Sequence, residues 1–213
     1  MEVAVGIGEG ITAPAFLSIP KKATGLVLFA HGSGSSRKSP RNRFVAEVLN
    51  KGDVGTLLFD LLTPQEDAID RQTAELRFNI GLLAARVVAA SRWVRRQPSL
   101  ESVPLGYFGA STGAAAALVA AAILPDEVAA IVSRGGRPDL AGQYLREVRA
   151  PTLLIVGGAD QVVIGLNRQA SAAMNVERNL TIVPQATHLF EEPGALEEVA
   201  RLSLAWFQRH LSA

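Results

Sequence analysis

A serine hydroxyl is a useful nucleophile only where a base can take its proton and the backbone presents it to substrate. One serine in this sequence has such a setting. Gly109-Ala110-Ser111-Thr112-Gly113 follows an apolar run ending at Phe108 and precedes an alanine-rich apolar run from Ala114 to Leu124. The expected structure is a buried strand, a sharp turn and a helix, the context that a G-x-S-x-G nucleophile requires. Small residues at 109, 110 and 113 leave room for a strained serine backbone. The helix that follows aims free N–H groups and its positive dipole end at any oxyanion forming there.

Candidate bases and acids lie at other strand ends. The chain has three histidines and no cysteine, which excludes a thiol nucleophile, thiolate metal ligands and disulfides. Asp160 follows the apolar run Leu153–Val156 through Gly157-Gly158-Ala159, and His188 follows Thr181–Pro184 through Ala186-Thr187. In an open parallel sheet the carboxyl ends of the strands form one functional edge, so Ser111, Asp160 and His188 are expected to meet there. Their chain order is Ser…Asp…His. His31, in the His31-Gly32 turn after Gly25–Ala30, is expected to brace its loop. His210 falls in the last turn of the final helix, where its charge suits the dipole. Asp60, at the end of its strand, and Asp139, after the strand at 128–133, are the rival acids, and Asp60 is the better candidate for bracing a loop.

The elements that must position these residues can be read in order. Residues 2–7 and 15–19 suggest an antiparallel hairpin around the GEGITAP turn at a sheet edge. Buried strands are expected at 25–30, 56–62, 104–108, 128–133, 151–156 and 180–183, since each is a short apolar run. Helices are expected at Pro40–Lys51, at Thr73–Arg96 with Pro98 as its stop, after Ser111, at Gly165–Met174, and at Gly194–Leu211. The fifteen or so residues Gly135–Arg149 leave space for one short helix and no lid domain, so the pocket is expected to be shallow and open. Alternation of strands and helices from residue 25 onward predicts a mostly parallel sheet with helices on both faces. The antiparallel hairpin adds to its edge, and no break divides residues 1–213 into more than one domain.

Composition narrows the class. Apolar residues are 48% and charged residues 19% of 213, ordinary for a soluble globular chain. The net charge of +1 supplies no single-sign field suited to nucleic acid. MEVAVGIGEG lacks the pattern of a signal peptide, and Arg86 and Arg92 interrupt the best candidate for a membrane span. The expectation is a cytoplasmic protein with a small-molecule partner, no membrane association, and a homodimer left open.

GASTG, GGADQVV and ATHLFEEPGALEEVA, together with LVLFAHGSGSS, resemble the small lid-less α/β-hydrolases of the dienelactone hydrolase-like branch. The resemblance runs from about residue 15 to the C-terminus. It implies an α/β-hydrolase fold, hydrolysis of ester-type bonds, no metal or organic cofactor, and a triad of Ser111, His188 and Asp160. Dienelactone hydrolases proper carry a cysteine nucleophile where this chain has Ser111.

On that basis Ser111 would attack an acyl carbonyl, His188 would take and return the proton, and Asp160 would hold the imidazole tautomer. Backbone N–H groups of Ser33 and Thr112 would form the oxyanion hole, with Gly32 and Gly34 letting the loop approach substrate. Gly34, Arg37 and Arg134 are candidates for substrate contact. Arg37, Lys38, Arg41 and Arg43 form either a clamp for an anionic acyl group or a solvated loop, and Arg137 lies near Arg134. The substrates expected are carboxylic esters, thioesters or lactone-type acyl compounds, cleaved through an acyl-enzyme. The same triad would serve an acyltransferase or perhydrolase. A catalytically idle scaffold with a binding role is the rival from another class.

Overall fold

The computed structural model describes residues 1–8 and 10–211. Eight strands form one sheet in the order β1-β2-β4-β3-β5-β6-β7-β8. The strands are β1 (Glu2–Gly8), β2 (Ile11–Ser18), β3 (Leu26–Ala30), β4 (Gly55–Phe59), β5 (Leu105–Ala110), β6 (Val128–Arg134), β7 (Thr152–Gly157) and β8 (Arg178–Val183). β1 pairs antiparallel with β2, and β2 antiparallel with β4, while every pair from β4 through β8 is parallel. The burial patterns follow. In β1 and β2 buried and half-buried residues alternate with more exposed ones, as in an edge hairpin with one wet face, whereas β3, β4, β5 and β7 are buried throughout because helices cover both faces. Glu9, in the expected hairpin turn, lies outside the described residues.

The helices are α1 (Pro40–Lys51), α2 (Pro64–Thr73), α3 (Ile80–Arg95), α4 (Thr112–Ile123), α5 (Gln161–Ala173) and α6 (Ala195–His210). α1 and α6 pack together over one face, and α3 and α4 over the other. The core divides accordingly. Val27, Phe29, Phe108, Val132 and Ile155 face α1 and α6, and Leu28, Tyr107 and Ile131 face α3 and α4. From Thr112 through Ala122 every residue of α4 is buried. A helix apolar on all sides belongs in the interior, and its alanines let it lie close to the sheet. Among the described residues no helix is long and apolar enough to cross a membrane.

Two expected elements differ: β2 begins at Ile11, inside the stretch expected as the hairpin turn, and the long helix starts late. The helix expected from Thr73 begins at Ile80, and the polar stretch before it holds α2 and a 3-10 turn, Leu76–Phe78. α2 begins with a capping box: Thr63 Oγ1 accepts from the Glu66 N–H, the Glu66 carboxylate accepts from the Thr63 N–H, and Pro64 opens the first turn. That Thr-Pro-x-Glu signal is present in the sequence. Weak hydrophobic periodicity over 64–73 hides it, because α2 buries only Asp70.

Candidate active site

Ser111 follows β5 and precedes α4 with φ 51° and ψ −121°, a conformation that L-residues with a side chain rarely adopt. Its carbonyl accepts from Arg137 N–H and its N–H donates to the Arg134 carbonyl, so the strained residue is bonded on both sides to the segment after β6. The glycines around it are sterically required. A Cβ on Gly109 would stand 2.4 Å from the Ala114 Cα, and one on Gly113 2.1 Å from the Ala30 carbonyl oxygen. The turn of α4 can therefore lie against the end of β3 only if residue 113 has no side chain. The Ser111 side chain makes no capping bond to α4, leaving its hydroxyl unused by the helix.

Asp160 and His188 meet at the next strand ends. Asp160 Oδ2 and His188 Nδ1 are 2.9 Å apart. The other carboxylate oxygen accepts the Val163 N–H at 3.3 Å, so Asp160 is also the N-cap of α5 and is held by it. The loops carrying the two residues are joined by bonds from Gly158 N–H to the Val183 carbonyl and from Ala159 N–H to the Ala186 carbonyl. Gly157 permits that crossing, since a Cβ there would lie 2.3 Å from the Ala186 oxygen. A Cβ on Gly135 would stand 3.6 Å from His188 Cε1, so the imidazole lies over the segment that also holds Ser111. No hydrogen bond joins Ser111 Oγ to the His188 ring in this structure; such contacts commonly tighten once substrate is bound.

The rival groups are engaged elsewhere. Asp60 accepts from the Arg37 N–H at 2.7 Å and from the Arg37 guanidinium, and so braces the loop after β3. Asp139 forms a two-bond pair with Arg137, at 2.9 and 2.7 Å. His31 is buried, with Nε2 accepting the Leu61 N–H at 3.0 Å and Nδ1 facing the Gly32 carbonyl at 3.0 Å. Burial holds its pKa below the usual imidazole value, and the neutral ring ties the ends of β3 and β4 together. His210 lies against Trp206 in α6, with the two rings tilted by 54° and their centroids 4.5 Å apart.

Between the loop after β3 and the α2 segment lies a cavity of about 750 Å³, lined by Ser33, Gly34, Arg37, Lys38, Arg77 and Thr112 among others. It is larger than the shallow pocket expected, because α2 and the 3-10 turn form one of its walls. The backbone N–H groups of Ser33 and Thr112 have no acceptor among the described residues. Gly32 brings the Ser33 loop close to Ser111: a Cβ on it would lie 3.1 Å from Ser111 Cβ. Gly34, at φ +65°, has nothing within 4 Å of its Cβ position.

Of the cations considered as a clamp, Arg37 is paired with Asp60 and Arg41 with Glu191, at 2.8 Å. Arg134, also a candidate for substrate contact, does not line the cavity. It is 8% exposed, its Nη2 bonds Asn42 Oδ1 at 3.4 Å, and its Nε and Nη1 are buried without a partner. Among the described residues no cluster of three His, Asp or Glu side chains is grouped to hold a metal ion.

Comparison with known proteins agrees with this architecture. The family model described as "Dienelactone hydrolase family" matches residues 17–211. A dienelactone hydrolase from Anabaena variabilis, whose crystal structure is solved, superposes with a TM-score of 0.95 at 55% identity, over 99% of this chain and 98% of that one. Est1E from Butyrivibrio proteoclasticus, solved with ferulic acid bound, shares the fold at a TM-score of 0.82 and 16% identity, over 98% and 99% of the two chains. Two Mycobacterium tuberculosis proteins, from strains CDC 1551 and H37Rv and provisionally named phosphoribosyl transferases, are each 60% identical over 195 residues. That match takes in 92% of this chain and 43% of theirs, so the chain spans less than half the length of those relatives.

Proposed function

This chain belongs to the dienelactone hydrolase family, and we propose that it hydrolyses carboxylic ester, thioester or lactone-type acyl substrates through an acyl-enzyme on Ser111. It has the α/β-hydrolase fold and is an ester-hydrolysing enzyme. The observation that carries the finer reading is the Asp160–His188 pair at 2.9 Å beside a serine held at φ 51°.

The steps follow from that geometry. His188 Nε2 takes the Ser111 proton as Oγ attacks the acyl carbon, and the carbonyl oxygen becomes an oxyanion facing the Ser33 and Thr112 N–H groups. The imidazolium formed is offset by Asp160, which accepts from Nδ1–H and keeps the ring in the tautomer whose Nε2 is basic. Nε2–H then protonates the leaving alcohol, thiol or ring oxygen. Water enters, gives a proton to Nε2 and attacks the acyl-serine, and the proton returns to Ser111 as the acid leaves. We assign substrate contact to Gly34 and Arg37, which line the cavity, and not to Arg134. The provisional transferase name belongs to M. tuberculosis chains more than twice this length.

The test is labelling with a fluorophosphonate, followed by peptide mapping and a p-nitrophenyl ester series. Label on Ser111, turnover of esters and loss of both in Ser111→Ala are expected. Hydrolysis surviving in purified, folded Ser111→Ala would refute the assignment.

A further inference from the structure

Ser33 lies between two glycines, the residue type that restrains its neighbours least. Yet its N–H must sit at a fixed place if it is to serve an oxyanion, because such donors act by being held in position before charge develops. Backbone bonding restrains this loop only in part, through the Ser35 N–H donated to the Gly32 carbonyl at 3.2 Å. A second restraint comes from side chains. Ser33 Oγ and Thr112 Oγ1 are 2.9 Å apart, although the residues are 79 positions apart in the chain. The two hydroxyls therefore join the two residues whose N–H groups form the oxyanion hole.

The direction of the bond can be worked out. Ser33 Oγ also lies 3.4 Å from the Arg77 carbonyl oxygen, which can only accept. With Ser33 donating to Arg77, Thr112 is the donor to Ser33. Arg77 is in turn fixed by Asp70 of α2, which accepts from the Arg77 N–H at 2.9 Å and from its Nε at 2.7 Å. Asp70 is 2% exposed. A continuous run of hydrogen bonds thus leads from α2 through Arg77 and Ser33 to the first residue of α4.

We propose that the Ser33–Thr112 hydroxyl bond is a positioning device that sets the separation of the two oxyanion N–H groups and ties it to the α2 wall of the cavity. This rests on the serine-hydrolase reading above. Ser33 and Thr112 contribute their backbone N–H groups to the chemistry, and their side chains act only through that backbone. Losing an oxyanion donor outright lowers kcat by 10²–10³ in other hydrolases. Loosening one without removing it should cost about 5- to 50-fold.

The experiment is a double-mutant cycle on the intact chain, with Ser33→Ala, Thr112→Val and the pair, assayed on p-nitrophenyl acetate with melting temperature as the folding control. Each single variant should lower kcat about 5- to 50-fold with KM within about twofold, and the pair should be no worse than the worse single. Thr112→Ser, which keeps the hydroxyl, should retain most of kcat. Fluorophosphonate labelling of Ser111 should slow in step with kcat, because the phosphonyl oxygen uses the same hole. Unchanged kcat, additive losses, a change confined to KM, or loss in Thr112→Val alone would overturn the proposal. The last result would make Thr112 a direct side-chain donor. If wild-type hydrolysis survives Ser111→Ala, the underlying reading falls and this inference with it. If Ser111→Ala is inactive while the hydroxyl variants match wild type, only this inference falls.

Discussion

Replacing Arg134 with methionine should stabilise the protein. The guanidinium sits at the end of β6, in register with Ala110 of β5, on the face covered by α1 and α6. Its one hydrogen bond is long, 3.4 Å to Asn42, and two of its nitrogens have none. Burial, with a smaller contribution from repulsion by Arg41, pulls its pKa from 12.5 down to about 10. At 1.36 kcal/mol per unit this is a penalty of about 3 kcal/mol on the charged form in the folded state. Because the folded value lies below the unfolded one, the unfolded chain binds the proton more tightly. The penalty is thus complete at neutral pH and is relieved only above about pH 10. Methionine removes the charge and fills similar volume, at the loss of one weak bond to Asn42, about 1 kcal/mol. The expected net gain is about 2 kcal/mol, which for a chain of this size raises Tm by about 4–8 °C. Calorimetry at pH 7, with urea unfolding as a second measure, reads it directly. A fall in Tm of 3 °C or more would refute the view of Arg134 as an uncompensated buried charge, and Arg134→Lys should show no gain.

Two further outcomes are expected. Asp160→Asn should lower kcat by about 10³–10⁴, because an amide N–H facing Nδ1 favours the wrong imidazole tautomer. Asparagine still caps α5, so Tm should change little; a loss below tenfold, or an equal loss in Asp139→Asn, would dismiss Asp160 as the acid. For His31 the folded pKa is depressed by burial, so the unfolded state binds the proton more readily. Its contribution to stability is full above pH 6.5 and is lost as pH falls below that value. Urea midpoints at pH 8 and pH 5 should therefore differ more in wild type than in His31→Gln, and equal differences would count against the neutral, loop-bracing ring.

The proposed chemistry rests on ordinary parts placed at one sheet edge. The proposed nucleophile is set by position: its backbone is held in a strained turn by bonds to the segment after β6, and its hydroxyl is left free by α4. The acid does double duty, since the carboxylate facing His188 also caps α5. A change at Asp160 can therefore be separated into a catalytic and a structural effect by the choice of replacement.

Much of this was legible in the order of residues alone. Gly109, Ser111 and Gly113 mark the elbow because only small residues fit its turn, and continuous apolar runs mark strands that helices cover on both sides. The chain order of Ser111, Asp160 and His188, with each placed just past a strand, follows from a parallel sheet having one functional edge. Local pattern could not reach the rest. α2 has almost no apolar face, so only its capping box betrayed it, and without it the cavity wall could not be foreseen. Which of Asp60, Asp139 and Asp160 faces His188 depends on which carboxylates arginines occupy; Arg137 lies two residues from Asp139, but the pairing of Arg37 with Asp60 joins residues from separate elements. The same holds for Arg134, whose position after β6 admits either a pocket or the interior. Its burial, like the hydroxyl bond between Ser33 and Thr112, was decided only when β3, β5 and β6 lay side by side, because such contacts depend on strand register and helix packing and leave no mark on local sequence.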